Sequence, residues 1–127
     1  MSVQDKWPST AMPQATAPAI FTVLYRWRLH EGTEASFIEG WSRLSELLLS
    51  QGGSLGSRLH RGPDGWWYSY AQWPSAEARE RAFAGGSLDA DASRRMHEAI
   101  AESLPELILE PVADFMVLPV ADRTASS

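Results

Sequence analysis

The chain has 127 residues, of which 44% are apolar and 21% charged, and its 11 basic and 16 acidic side chains give a net charge of −5. This composition predicts one globular domain with a substantial core and excludes an intrinsically disordered chain. The acidic excess argues against nucleic-acid binding, the lack of a long apolar run argues against a membrane span, and the lack of cysteine excludes disulfides. With no apolar stretch near the start to serve as a signal peptide, we expect a cytoplasmic protein.

Both ends of the chain are polar. Residues 1–19 combine recurrent proline with Ala, Ser, Thr and Gln and have no apolar period, which predicts an extended tail. Residues 121–127 predict a second polar tail. We therefore expect a single folded domain at 20–120.

The first half of this domain predicts a strand followed by a helix. Residues 20–29 alternate so that Tyr25 shares one face with four apolar side chains. Thr33 is the predicted N-cap of the helix that follows. The apolar residues that then recur at helical spacing are Phe37, Trp41, Leu44 and Leu48. From this stripe we expect Trp41 to be a core residue rather than a site residue.

A Gly-Pro-Asp-Gly turn at 62–65 joins predicted strands at 54–61 and 66–73 in a hairpin. If Arg61 and Trp66 flank the turn, alternate residues fall on two distinct faces. One face then carries Arg58, His60, Trp67, Ser69, Ala71 and Trp73, and the other carries Leu55, Ser57, Leu59, Tyr68 and Tyr70. Small residues beside large aromatics on the first face predict a pocket for a flat aromatic molecule. A slip of one residue would exchange the two faces.

The remainder of the domain predicts further helices and one last strand. Ser75 is the expected N-cap of a helix that Gly-Gly at 85–86 interrupts. A second helix is expected at 89–104, with Pro105 as its stop, and the last strand at 107–118.

The predicted element order is β-α-β-β-α-β, which indicates an α+β, ferredoxin-like fold with an antiparallel sheet. Helices of this fold cover only one face of the sheet, yet the first and third predicted strands are apolar on both faces. We therefore expect a homodimer in which two sheets pack together.

Several segments resemble one protein family. They are FTVLYRWR at 21–28, GSLGSRLHR at 53–61 and YAQWPS at 70–75. They resemble the antibiotic biosynthesis monooxygenase family of the dimeric α+β barrel superfamily, over about residues 20–118. The resemblance implies a dimeric α+β barrel. The family includes cofactor-independent oxygenases of polyketide anthrones, haem-degrading enzymes, autoinducer-modifying proteins and many members of unknown activity.

The haem-degrading branch of that family uses an Asn on the first strand, a Trp near the second helix and a His further along. Tyr25 stands at the Asn position, and Ala82 and Phe83 stand near the Trp position. Only His97, within the sequence Arg-Met-His-Glu-Ala, resembles the haem-ligating His. Haem binding through His97 is therefore an alternative rather than the main expectation.

We expect a small cofactor-independent monooxygenase that acts on an anthrone, a quinol or a polyketide-like aromatic molecule. His60 is the candidate general base, because imidazole titrates near neutral pH, and Arg58 would stabilise the resulting oxyanion. The residues expected to bind the substrate are Tyr25, Trp67, Tyr70 and His97. The sequence contains neither a recognisable cluster of metal ligands nor a nucleotide-binding motif, so no metal or other cofactor is expected. A binding or carrier module with the same pocket and no chemistry is the other alternative.

Overall fold

The computed structural model describes residues 20–117, in which four strands and three helices follow one another. They are β1 (Phe21–Leu29), α1 (Glu34–Ser50), β2 (Ser57–Arg61), β3 (Trp67–Trp73), α2 (Ala76–Ala84), α3 (Ala90–Ala99) and β4 (Ile100–Leu109). The strands pair antiparallel in the order β2-β3-β1-β4. This order is the ferredoxin-like arrangement, so the predicted α+β fold class is confirmed.

The described chain divides into two units. Residues 20–111 form the unit that contains every strand and helix named above, and 112–117 belong to a second unit without regular secondary structure. The tails predicted at 1–19 and 121–127 lie outside the described residues. No helix within 20–117 combines the length and the apolar character that a membrane crossing requires.

The core lies between one face of the sheet and helices α1 and α3. On that face Val23 pairs with Ala71 and Trp27 with Trp67, as the alternation of β1 predicts. Phe37 of α1 is fully buried between the two indoles, with its ring centroid 5.4 Å from that of Trp27 and 5.7 Å from that of Trp67. Both contacts are edge-to-face, the favoured geometry for aromatic pairs. Trp67 is therefore a core residue.

The register predicted for the hairpin is wrong by one residue. Arg58 lies opposite Tyr70 and His60 lies opposite Tyr68, whereas Trp67 lies opposite Arg61. Arg58 and His60 consequently share the sheet face that points away from the helices, which we call the outer face. The helix-facing side of β2 instead carries Ser57, Leu59 and Arg61.

The turn explains the shifted register. The Gly62 N–H donates to the Trp66 carbonyl at 2.8 Å, so the loop between the strands has three residues and not four. Gly65 adopts φ +86°, the left-handed conformation that closes a three-residue hairpin loop. This conformation suits glycine because it has no Cβ to clash with the backbone.

The last strand, predicted at 107–118, begins and ends earlier than predicted, and 110–117 are not part of a strand. Helix α3 ends at Ala99, and β4 starts at the next residue and runs through Pro105, which we expected to act as a helix stop. In the ladder with β1, Leu104 pairs with Arg26 and Leu107 pairs with Leu24. Two residues of β4 therefore stand opposite one residue of β1, which is a β-bulge. Within the described sheet β4 is an edge strand, where a proline without an N–H is tolerated.

Helices α1 and α3 approach closely at Gly40. A Cβ at this position would lie 2.6 Å from the carbonyl oxygen of Ala92, so only glycine fits there without a shift. Arg43, one turn further along α1, pairs with Asp89 at 2.9 Å. Asp89 in turn caps α3 by accepting from the Ala92 N–H at 2.9 Å. These contacts fix α3 over the sheet.

The predicted N-caps behave differently. Ser75 caps α2 by accepting from the Ala78 N–H at 3.0 Å, as predicted. Thr33 precedes α1, but its hydroxyl donates to the His30 carbonyl at 2.7 Å and makes no cap hydrogen bond. It therefore stabilises the preceding turn rather than the helix.

Candidate active site

A cavity of about 200 Å³ lies between the helix-facing side of the sheet and all three helices. We call it the inner cavity. It exists because Ser69 and Ala71 lie between Trp67 and Trp73 on the same face of β3, so that small side chains leave space beside the indoles. No charged side chain is among the described residues that line this cavity. It is therefore suited to an uncharged, mostly apolar molecule.

Aromatic rings form much of the wall. Tyr25 and Trp27 stack with their centroids 5.6 Å apart and their planes 4° from parallel. Trp73 meets Phe83 edge-to-face at 5.7 Å. Trp41 of α1 completes this part of the wall. Flat faces of this kind favour a planar ligand.

Trp41 belongs both to the core and to the cavity. It packs against the Phe37 cluster, as predicted, and its indole Nε1 donates to the Ser69 hydroxyl at 3.0 Å within the cavity wall. The prediction of a core residue without a site role is therefore only half correct. Trp73 is almost fully buried, and its Nε1 has no hydrogen-bond partner in the described part of the chain.

The phenol of Tyr25 is a polar group in the wall that contacts a charged side chain. Arg79 of α2 donates from Nη2 to the Tyr25 oxygen at 3.0 Å and to Glu106 Oε1 at 2.7 Å. The Arg79 guanidinium also lies 5.7 Å from the centre of the Tyr25 ring. The bulge in β4 supplies Glu106, because Pro105 and Glu106 together stand opposite Tyr25.

This arrangement determines the protonation of Tyr25. Burial, the larger influence, raises the pKa of the phenol, although the Arg79 charge opposes the shift. Tyr25 therefore keeps its proton near neutral pH. Since its oxygen already accepts from Arg79, the O–H is available to donate to a ligand oxygen.

Two of the predicted site residues, Arg58 and His60, lie away from the inner cavity. Both are exposed on the outer face, where His60 Nδ1 lies 3.3 Å from the carbonyl oxygen of Tyr68. Tyr70 is on the same face and its hydroxyl donates to Gln72 Oε1 at 3.4 Å. The structure thus brings Arg58, His60 and Tyr70 together, but not with Tyr25 or Trp67.

Of the six predicted site residues, only Tyr25 is among those described as lining the inner cavity. His97 is exposed on α3, and its neighbour Met96 lines the cavity instead. A haem ligand at His97 would therefore face away from this space. Within residues 20–117 there is also no group of three or more His, Asp and Glu side chains placed to hold a metal ion.

Sequence reasoning missed Arg79 and Glu106. Arg79 stands in a helix rich in charged residues, and Glu106 follows a proline that was expected to stop a helix. They are 27 residues apart and neither belongs to a recognisable motif. The pairing of β4 with β1 brings Glu106 to this place, and Arg79 reaches the Tyr25 oxygen from α2.

Comparison with known proteins gives the fold. No family sequence profile matches the chain, and no curated protein sequence matches it either. Solved structures do match. A protein of Chloroflexus aurantiacus, provisionally assigned as an antibiotic biosynthesis monooxygenase, is 17% identical with a TM-score of 0.64, over 77% of this chain and 98% of the other.

Two further solved structures have a similar fold. SnoaB of Streptomyces nogalater, a cofactor-independent oxygenase, is 20% identical with a TM-score of 0.59, over 80% of this chain and 98% of its own. Rv0793 of Mycobacterium tuberculosis is 12% identical with a TM-score of 0.62, over 76% of this chain and 98% of its own. The predicted resemblance to the antibiotic biosynthesis monooxygenases is thereby confirmed at the level of fold.

Proposed function

We propose that this protein is a cofactor-independent monooxygenase that oxidises a small, electron-rich aromatic molecule in the inner cavity. The observation that carries the proposal is the Tyr25 phenol, held by Arg79 at the wall of an otherwise uncharged cavity. The fold shared with SnoaB, itself a cofactor-independent oxygenase, supports the same reaction class.

The chemistry follows from the hydrogen-bond donor. The Tyr25 O–H donates to the oxygen of a phenol or an enolisable ketone, and the positive charge of Arg79 strengthens that donor. Both groups favour the ionised substrate over its neutral form. A donor in the wall of a largely apolar cavity stabilises such an anion more than the same donor in bulk water.

The anion then reacts with O₂, the only oxidant required. It transfers one electron to O₂, and the substrate radical and superoxide combine into a peroxide at carbon. Loss of water from the protonated peroxide leaves a carbonyl. One oxygen atom of O₂ is then in the product, and the other leaves as water with the remaining hydrogen of the oxidised carbon and the proton that the substrate lost on ionisation. The protein orients the ring and holds the anion.

The proposed assembly is a homodimer formed through the outer face. Apolar side chains on this face, each about two-fifths exposed, come from the edge strand and are Leu104, Leu107 and Leu109. Leu24 and Tyr70 continue the surface across β1 and β3. A sheet-to-sheet dimer buries on the order of 1,200–2,000 Å² in total, enough for a stable complex.

Oxygen consumption tests the reaction. The protein is dialysed against a chelator and mixed with a hydroquinone, a naphthol or an anthrone, with no cofactor added. We expect protein-dependent O₂ uptake, and the carbonyl formed from the naphthol or the anthrone should carry label from ¹⁸O₂. Uptake that begins only when flavin, haem or iron is restored contradicts the cofactor-free mechanism. Lack of uptake with all three substrate classes contradicts the oxygenase proposal itself.

A further inference from the structure

A second cavity of about 300 Å³ adjoins the inner one and shares three wall residues with it, Leu44, Leu48 and Phe83. We call it the outer cavity; it lies on the helix side of the sheet and not on the outer face. Its other described walls come from the end of α2, the following loop and the start of α3, and include Leu88, Ser87 and Ser93. As in the inner cavity, no charged side chain is among its described lining residues.

The size of the inner cavity limits the reacting ring. An apolar protein cavity of about 150 Å³ is known to hold one benzene molecule. At about 200 Å³ the inner cavity therefore accepts one aromatic ring with small substituents, and three fused rings exceed it. A larger substrate must extend into the outer cavity.

Phe83 is the wall residue able to open this path. It lies in the last turn of α2 and is 46% exposed, so that its ring has room to turn outward. Two glycines follow, and Gly86 has φ +94°. The Arg79 guanidinium lies 6.0 Å from the centre of the Phe83 ring and 5.7 Å from the centre of the Tyr25 ring. Phe83 and the hydrogen-bond donor Tyr25 are therefore both close to Arg79.

We propose that the substrate is an uncharged, single-ring phenol with an apolar substituent, whose ring occupies the inner cavity and whose substituent passes Phe83 into the outer cavity. The proposal rests on the proposed function for the identity of the site. It adds the substrate class, and it names Phe83 and Leu88 as residues that determine specificity. Tyr25 holds the phenol oxygen, and the substituent contributes affinity through burial.

Binding of 4-alkylphenols, measured by titration calorimetry, tests this inference without requiring turnover. The probes are 4-methylphenol, 4-propylphenol and 4-pentylphenol. With the unchanged protein we expect affinity to rise by about fourfold for each methylene that enters the outer cavity. A flat dependence on chain length overturns the proposal, as does a lack of phenol binding.

Leu88→Trp provides the decisive variant, because Leu88 lines the outer cavity and is not among the described residues of the inner one. The larger side chain fills the outer cavity. We expect the chain-length dependence to vanish, whereas 4-methylphenol still binds within about twofold of the unchanged protein. A chain-length dependence that persists in Leu88→Trp overturns the proposal.

Phe83→Ala gives the complementary result. Removing the shared wall should raise the affinity for 4-phenylphenol relative to 4-methylphenol by on the order of tenfold. An unchanged ratio contradicts the specificity role of Phe83. Circular dichroism checks that both variants fold. Chain-length-dependent binding without O₂ uptake from the hydroquinone, the naphthol or the anthrone would support the two-cavity site and reject the oxygenase, so the two proposals fail separately.

Discussion

At the scale of single residues, Tyr25 has the most distinctive environment. We expect Tyr25→Phe to lower kcat by about 10²–10³-fold, the usual effect of removing one donor to a reacting oxygen, with a smaller change in KM. Tyr68→Phe is the matched control, because Tyr68 lies on the outer face and its hydroxyl donates to Asp64. Steady-state oxygen uptake measures both variants, and equal kcat values would remove Tyr25 from the chemistry.

His60 distinguishes the two locations considered for the site. The sequence favoured it as the general base, whereas the structure has it exposed on the outer face. We expect His60→Ala to leave the oxygen-uptake rate unchanged within about twofold, since general-base catalysis contributes 10²–10⁴-fold where it operates. A loss of activity by about 10²–10⁴-fold would indicate that the active site lies on the outer face and not in the inner cavity.

At the scale of elements, the close approach of α1 and α3 depends on Gly40. We expect Gly40→Ala to reduce the free energy of unfolding by about 1–3 kcal/mol, because the added methyl would meet the Ala92 carbonyl. Gly85→Ala is the control, since a Cβ there meets nothing within 4 Å and its φ is −90°. Urea unfolding that ranks the two variants equally would refute the tight contact.

The first turn of α3 should make stability depend on acid pH. Hydrogen bonds from Arg95 and then Arg94 lower the pKa of Asp91 from 3.8 to about 2. Since the folded pKa is below the unfolded one, the stabilisation is complete above pH 3.8 and is lost as the pH falls towards about 2. We expect Tm to fall more steeply over this range in the unchanged protein than in Asp91→Asn.

The control for this pH dependence is Glu80→Gln, which removes an exposed carboxylate from α2. Its Tm should follow the pH profile of the unchanged protein. Identical profiles for all three proteins would contradict the assigned role of Asp91.

At the scale of the whole molecule, the outer face should determine the oligomeric state. We expect light scattering at micromolar concentration to give twice the 14.1 kDa chain mass. Leu107→Glu should shift the protein towards the monomer, because a carboxylate on the outer face cannot be buried unpaired. Leu49→Glu makes the same change at an exposed position of α1 and should remain dimeric. A monomer mass for the unchanged protein would contradict the dimer.

Much of the fold could be predicted because its main elements have strong periodicity. The alternation of β1 and the apolar stripe of α1 each have one interpretation, and the structure has both elements where they were expected. The hairpin register could not be predicted, since it depends on the conformation of Gly65. Strand β4 was misassigned in part because its bulge breaks the alternation that identifies a strand.

The site was less predictable than the fold. Tyr25 could be found because it stands on a strand face otherwise made of apolar residues. Arg79 and Glu106 could not be found, because Arg79 reaches Tyr25 from α2 and Glu106 reaches Arg79 through the pairing of β4 with β1, and no local pattern encodes either contact. The inner cavity arises from small residues beside large ones, and the sequence of β3 predicts this feature. The sequence does not predict that Arg58 and His60 lie on the outer face, away from the cavity.

The bulge in β4 also makes chain length critical at this point. Leu104 and Leu107 are three positions apart, so a regular strand would place them on opposite faces. They lie on the same face because the bulge adds one residue between them. Deleting Pro105 would give a regular strand that keeps both leucines on this face, whereas inserting one more residue between them would turn one of the two to the opposite side. Substitutions within β4 should therefore be tolerated more readily than single-residue insertions, and we expect homologues with this site to vary in length here only by loss of the bulge residue.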